Sequence, residues 1–436
     1  MLNRTQIIFG IMGFMLLMVG LFQSWNLALA LVNLCLISAL MTLGVNMQWG
    51  YAGLVNFGMM GFAALGGLAG VLISMPPVPG AIAAGGSGIL ASLVVALITI
   101  FAAIYTWKKT AKLETRRRYL VMAALLIVGF FIFRSIIDPA VDAIESFESA
   151  KSGYLGGLGL PIILSWAVGG VLAAGVAWMI GKVALGLRSD YLAIATLGIS
   201  EIIVYALKNE DWLARGVKNV TGLPRPVPYE IELQESAWLM DLTTQFNLPL
   251  VDTSSVIVKL CYAVLFTIVL VVIYQLSEKA LKSPWGRMMR AIRDNEVSAE
   301  AMGKDVKAKH LQVFILGSAV VGIAGAMLTT LDGQFTPASY QPLRFTFVIW
   351  VMVIIGGSGN NAGSIIGGFL IWFFWVESEP LGLWLIETLT SGMAEDSFLR
   401  LHLIENAAHT RLMTMGLVLL LVLRFAPKGL IPEEKR

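Results

Sequence analysis

The chain has 436 residues, 57% of them hydrophobic and only 14% charged, with 31 Lys and Arg against 28 Asp and Glu. Soluble domains carry about a quarter of their residues charged, so this composition, with a mean hydropathy of +0.78, excludes an ordinary water-soluble enzyme. It leaves room for many spans of roughly 20 residues and none for a large soluble domain beside them. The net charge of +3 says little about partners, and no nucleic-acid partner is expected.

Apolar stretches long enough to span a bilayer run over residues 7–22, 27–47, 54–74, 89–107, 119–136, 162–181, 191–207, 256–276 and 311–331. Residues 345–376 are too many for one span, and Gly356-Gly357-Ser358-Gly359-Asn360-Asn361 splits them into a hairpin of two short spans. Residues 417–425 form the core of a last span. The expected fold is therefore all-α, a polytopic bundle of about twelve spans forming a single transmembrane domain over 1–436. Arg4 and the apolar run after it resemble a signal peptide, with Ala28-Leu29-Ala30 as a cleavage site. Those alanines lie inside the second apolar run, so a retained first span is expected.

Topology follows from lysine and arginine, which cytoplasmic loops keep. Lys108, Lys109, Lys112, Arg116, Arg117 and Arg118 stand against Glu114 in one loop. Lys182 and Arg188 mark a second, residues 283–312 a third, and Arg424, Lys428, Lys435 and Arg436 the tail. The alternate segments 137–159, 208–254 and 377–410 are net acidic. Alternation holds only if residues 345–376 cross twice, which puts both termini in the cytoplasm.

Residues 283–312 are the most informative polar interval. Met288, Ile292, Ala299 and Met302 recur at helical spacing between charged residues. Two readings stand: a solvated loop with local helix, or a short amphipathic helix at the membrane surface that passes a partner's motion into the bundle. Two further places could carry function. Gly50-Tyr51-Ala52-Gly53-Leu54-Val55-Asn56-Phe57-Gly58 is either a close-packing glycine segment or an interrupted helix whose freed backbone lines a polar path with Asn56. Glu201 is the one acid read as lying well inside a span, and it should face a polar partner or water. It is either a structural lock or part of a substrate path; Gly198 shares its side of the helix, and Thr196 does so only loosely.

Other chemistry is not indicated. His310, His402 and His409 lack metal-ligand spacing, so no metal is expected. Cys35 and Cys261 read as buried thiols in separate apolar runs. Gly175 to Lys182 has the wrong spacing for a phosphate loop, and Val183 stands where a Ser or Thr should bind Mg²⁺, so any ATP is bound by another chain. No nucleophile and base combination suggests an enzyme.

Several segments, each weak alone, together resemble one family in the right order. Gly286-Arg287 through Arg290-Ala291-Ile292-Arg293-Asp294-Asn295-Glu296 to Ala299 and Gly303 is similar to the cytoplasmic EAA loop of bacterial ABC importer permeases. Leu43-Gly44-Val45-Asn46 with Gly50-Tyr51-Ala52-Gly53, Leu187 to Ile194 with Thr196-Leu197-Gly198 and Glu201-Ile202, Thr221-Gly222, Gly356-Gly357-Ser358-Gly359 with Gly363 and Gly367, and Pro427-Lys428-Gly429-Leu430-Ile431-Pro432 resemble branched-chain amino-acid permeases of the LivM type.

The resemblance implies an inner-membrane permease subunit driven by separate ATPases, with branched-chain amino acids as substrates. A urea or short-amide permease is the near alternative, and a stand-alone secondary transporter or channel the more distant one. Implied partners are a second homologous permease, two ATPase subunits that hold the ATP, a periplasmic substrate-binding protein and membrane lipid. The implied coupling residues are Arg287, Met288, Arg290, Ile292, Glu296, Ala299, Met302 and Gly303. Met288, Ile292 and Met302 would pack into an ATPase groove, with Arg287, Arg290 and Glu296 at its rim. The candidate substrate-path residues are Tyr51, Asn56, Gly58, Thr196 and Glu201. Two departures stand out: residues 75–159 look inserted, and Leu223-Pro224-Arg225-Pro226 follows Thr221-Gly222 where the family usually has more glycine.

Overall fold

The computed structural model describes residues 4–112, 114–393 and 397–433. Glu395 and Asp396 of the acidic segment and Lys435 and Arg436 of the basic tail lie outside them. Twelve apolar helices answer to the twelve stretches. In order, the first seven are α1 (Arg4–Phe22), α2 (Trp25–Val45), α3 (Met59–Ser74), α4 (Ser87–Lys109), α5 (Thr115–Ser146), α6 (Ile163–Ala184) and α7 (Ser189–Asn209). Next come α8 (Leu250–Lys282), the short surface helices α9 (Pro284–Asp294) and α10 (Glu296–Ala301), and α11 (Val306–Asp332). The last are α12 (Pro342–Gly356), α13 (Asn361–Leu389) and α14 (Thr410–Phe425). Among the described residues ten helices are long and apolar enough to cross a membrane, α2, α4 and α14 with short extensions, while Met59–Ser74 and Pro342–Gly356 are shorter apolar helices. The chain is a polytopic helical membrane protein.

At about 1.5 Å per residue those two short helices fall below a bilayer's roughly 30 Å. Both are buried on most of their surface inside the bundle. Broken helices survive at membrane depth when protein encloses them, because no freed backbone group then meets lipid.

The core forms around α2, α3, α6 and α11, and glycine sets its spacing. A Cβ on Gly66 would strike the Gly322 carbonyl, and one on Gly325 the Ala63 carbonyl. Such contact between backbones replaces the hydrophobic drive that lipid removes. The hairpin α12–α13 closes equally tightly, since a Cβ on Gly367 would meet the Met352 carbonyl. Its turn has φ of 116° at Gly357 and 83° at Gly359, a region side chains avoid. The C-terminal tail packs into this turn, Leu430 and Ile431 amides donating to the Ile355 and Gly356 carbonyls at 2.8 and 2.9 Å.

Several boundaries differ from those expected. α5 continues ten residues beyond 136, because Ala140 and Ile144 pack on Ala81 and Ile89 despite the nearby acids. The segment expected as an acidic outer loop from 137 is therefore partly helix. The segment expected as a loop from 377 begins inside α13, where Glu377 is buried and accepts from Gln23 Nε2 at 2.8 Å. Residues 79–146 form a peripheral hairpin. Glu145 near its end accepts from the Trp212 amide at 3.2 Å, and the flanking Val78 and Leu155 amides donate to the Leu155 and Trp212 carbonyls at 3.1 and 3.0 Å. The long polar segment after α7 is structured: strand β1 (Val220–Thr221) pairs antiparallel with β2 (Gln334–Phe335), which lies between α11 and α12.

Candidate functional site

The surface segment is two helices rather than one. Ser283 caps α9, its Oγ accepting from the Gly286 amide at 3.4 Å, and Pro284 fills the first helical position. Asn295 ends α9 and caps α10, accepting from the Ser298 amide at 2.9 Å. Gly303, at φ 78°, then turns the chain, and Asp305 caps α11 through the Ala308 amide at 3.0 Å.

Gly286, Met289, Ile292 and Ala299 face inward and are buried in the chain's own core. Ile292 therefore anchors the segment instead of offering itself to a partner, and Met289 shares that role. The apolar surface left outside is Val297 at 76% and Met302 at 79% exposed, while Met288 is half-buried against the core. Arg287 and Glu296 point to solvent, and Arg290 is half-buried.

Besides these apolar anchors, one charged side chain joins this segment to the interior. The Arg293 guanidinium donates to the Gly50 carbonyl through Nη1 and to Glu433 Oε2 at 2.8 Å through Nη2. Its Nη1 lies 3.1 Å from where a Gly359 Cβ would stand, and its Cγ 3.2 Å from that of Gly53. Arg293 thus ties α9 to the end of the α2 extension, to the α12–α13 turn and to the tail at once.

Gly50 closes a widened helical turn, Asn46–Gly50, and residues 53–58 are not helical at all. A buried polar cluster supports this break. Asn361, at the start of α13, accepts from Tyr51 Oη and from Asn46 Nδ2 (3.0 Å), and donates to Glu278 Oε1 at 2.9 Å. Asn46 Oδ1 accepts from the Gly359 amide at 2.8 Å, and Glu278 pairs with Lys282 at 2.8 Å.

The freed backbone groups are satisfied by side chains. The Phe57 amide donates to Thr196 Oγ1 at 3.0 Å and the Gly58 amide to Asn56 Oδ1 at 2.7 Å. Asn56 Nδ2 donates to Gln48 Oε1 at 2.9 Å, and its carbonyl accepts from Trp350 Nε1 at 3.1 Å. Gln48 in turn donates to the Phe314 carbonyl and to Ser318 Oγ at 2.9 and 3.2 Å. Hence Asn56, Gly58 and Thr196 come together, and Tyr51 joins the neighbouring cluster around Asn361. All four are buried in this conformation.

Glu201 sits elsewhere. It lies on the exposed side of α7 with Gly198, opposite Thr196 and Ser200. The expectation of one deep acid is corrected, because Glu278 and Glu377 also lie within long apolar helices, which extend further than the hydropathy of their cores suggested.

Residues 119–423 match the family model described as branched-chain amino acid transport system / permease component. The chain belongs to that family. α9 and α10, with Thr196 and Glu201, fall inside the matched region. The family member is 27% identical over 254 residues to the high-affinity branched-chain amino acid transport system permease protein LivM of Escherichia coli (strain K12), covering 57% of this chain and 56% of that one. It thus spans about half the length of that relative. It is 25% identical over 400 residues to the probable branched-chain amino acid transport permease protein LivM of Methanocaldococcus jannaschii, covering 91% of this chain and 90% of that one. Against that organism's probable LivH permease protein it is 32% identical over 90 residues, 21% of this chain and 28% of that one. No solved structure matches it.

In this family member, sequence reasoning quoted Asn46, Arg293 and Asn361 within motifs but gave them no site role, and it passed over Gln48 and Glu278. A signal was present: amide side chains within a strongly apolar run need partners and attach to other helices. Their partners lie as far as 315 residues away, as for Asn46 and Asn361, and no local pattern identifies them.

Proposed function

We propose that the chain is one permease subunit of an ABC importer for branched-chain amino acids, working by alternating access in the bacterial inner membrane with both termini cytoplasmic. A second homologous permease completes the pathway. Two ATPase subunits bind the ATP and dock on α9 and α10, and a periplasmic binding protein delivers substrate. The family and the names of the relatives support the substrate class. The observation that carries the coupling role is the placement of Arg293, which bridges the surface segment to both helix interruptions.

Force applied to Val297, Met302 and the charged rim of Arg287, Arg290 and Glu296 would reach the breaks at 46–58 and 357–360 through Arg293, beside the buried anchors Met289 and Ile292. Those breaks are where the backbone can change φ and ψ without unwinding a whole helix, which is what a two-state membrane bundle needs. The buried Asn56, Gly58 and Thr196 group belongs to the resting arrangement, and its hydrogen bonds must exchange partners when the path opens.

Pull-down of ATPase subunits with wild-type and Glu296→Lys chains tests the reading. The variant should insert normally yet lose ATPase docking or coupled uptake, because a lysine reverses the charge at the rim. Uptake at the wild-type rate would remove Glu296 from the coupling role.

A further inference from the structure

The exposed side of α7 carries a charge that no described residue neutralises. Tyr191, Ile194, Ile202 and Tyr205 are exposed there at 63–70%, and Glu201 stands among them without hydrogen bond or ion pair to any described residue. It is twelve residues from the helix start, about 18 Å along at 1.5 Å per residue. A bare carboxylate at such depth is not tolerated against lipid, so this face meets water or protein.

Glu201 shares a recess of about 300 Å³ with Lys208, Gln341, Leu343 and Arg344. Lys208 follows it by two helical turns on the same side. Arg344 stands near the start of α12, its guanidinium 5.0 Å from the Trp375 ring, which holds it in place while leaving its edge free to donate. Neither cation pairs with Glu201 or with any other described acid. One anion and two cations therefore line a single small recess with unused hydrogen-bonding capacity and an apolar wall of Leu343.

We infer that this recess binds the zwitterionic head of a translocated α-amino acid, Glu201 accepting from the ammonium and Arg344 donating to the carboxylate. A guanidinium offers two parallel N–H donors that match a carboxylate. Lys208 adds long-range attraction for the carboxylate, and Leu343 with the exposed α7 side chains contacts an aliphatic side chain. Urea and short amides carry neither charge, so this pairing selects amino acids over them. The inference rests on the reading of the chain as an amino-acid permease and assigns that reading a substrate contact.

The test is leucine binding by the chain purified with its permease partner in lipid nanodiscs, beside uptake of labelled leucine by the assembled transporter. Glu201→Gln and Arg344→Gln should each weaken leucine binding by about tenfold or more, the worth of a charge-assisted contact. Glu201→Gln should leave binding of 4-methylpentanoate, which lacks the ammonium, unchanged, and Arg344→Gln should do the same for leucinamide, which lacks the carboxylate. Glu201→Asp should recover part of the leucine affinity.

Wild-type leucine affinity in both Gln variants, or no leucine binding by the wild-type pair, overturns the inference. So does loss of the permease partner from Glu201→Gln, which would make Glu201 an intersubunit lock. If wild-type uptake proceeds and the variants do not slow it, only the recess fails. If the assembled wild-type transporter takes up no branched-chain amino acid, the proposed function itself fails.

Discussion

Replacing Arg293 by Met keeps an unbranched apolar stem and removes the guanidinium with its charge and donors. Arg293 is 24% exposed and Glu433 27%, so their 2.8 Å pair is partly shielded from water, while Asp294 at 70% and 3.4 Å adds little. The pair is worth about 1 kcal/mol. The charge-assisted bond to the Gly50 carbonyl contributes about 2 kcal/mol, since its loss leaves a half-enclosed acceptor unmet. The sum, about 3 kcal/mol, corresponds to roughly a hundredfold change in the opening equilibrium of the segment it holds.

Hydrogen exchange followed by mass spectrometry reads that equilibrium directly. The reporters are the Gly53 and Leu54 amides, which donate to Trp49 and Gln48 carbonyls at 2.9 and 3.0 Å. Arg293→Met should speed their exchange by up to about a hundredfold. Glu433→Gln, which loses only the ion pair, should speed it less than tenfold. α6, which Arg293 does not touch, should exchange unchanged. Coupled uptake should fall in Arg293→Met while ATPase docking persists, because the docking surface is intact. Unaltered exchange at Gly53 and Leu54, or unaltered uptake, would refute the view that Arg293 transmits force.

Two more substitutions, with one control, probe the interior. Asn361→Ala withdraws the acceptor shared by Tyr51 and Asn46 and a donor to Glu278. It should destabilise the bundle by about 2–4 kcal/mol, read as a lower thermal midpoint in detergent, because several buried groups lose partners together. Gly66→Ala places a methyl group against the Gly322 backbone, where no side chain can move aside. It should lower the midpoint by an amount equivalent to about 1–3 kcal/mol, whereas Gly175→Ala, whose Cβ meets nothing within 4 Å, should leave it unchanged.

Two kinds of information lay in this chain, at different ranges. Hydropathy located the twelve apolar helices named above among the described residues, and the run Gly356 to Asn361 marked the turn between α12 and α13, since bilayer thickness and backbone sterics act locally. Helical periodicity also placed Gly198 with Glu201, as the exposed side of α7 now stands, but it let Thr196 share that side loosely, whereas Thr196 is buried on the opposite side. The same periodicity misjudged residues 283–312. It grouped Met288, Ile292, Ala299 and Met302 on one continuous face, but Asn295 breaks the helix there, so Ile292 and Ala299 turn inward while Met302 turns out.

Composition and spacing by themselves determined that the chain is a membrane bundle, where residues 345–376 turn back, and which polar stretch lies at the surface. Tertiary structure alone decided that Arg293 reaches Gly50 and Glu433, that Asn361 gathers Tyr51, Asn46 and Glu278, and that Glu201 shares a recess with Arg344. The reason is physical. A polar group in an apolar helix must find a partner, which the sequence announces, but the partner is set by which backbones the glycines allow into contact, and that is fixed only when the helices pack.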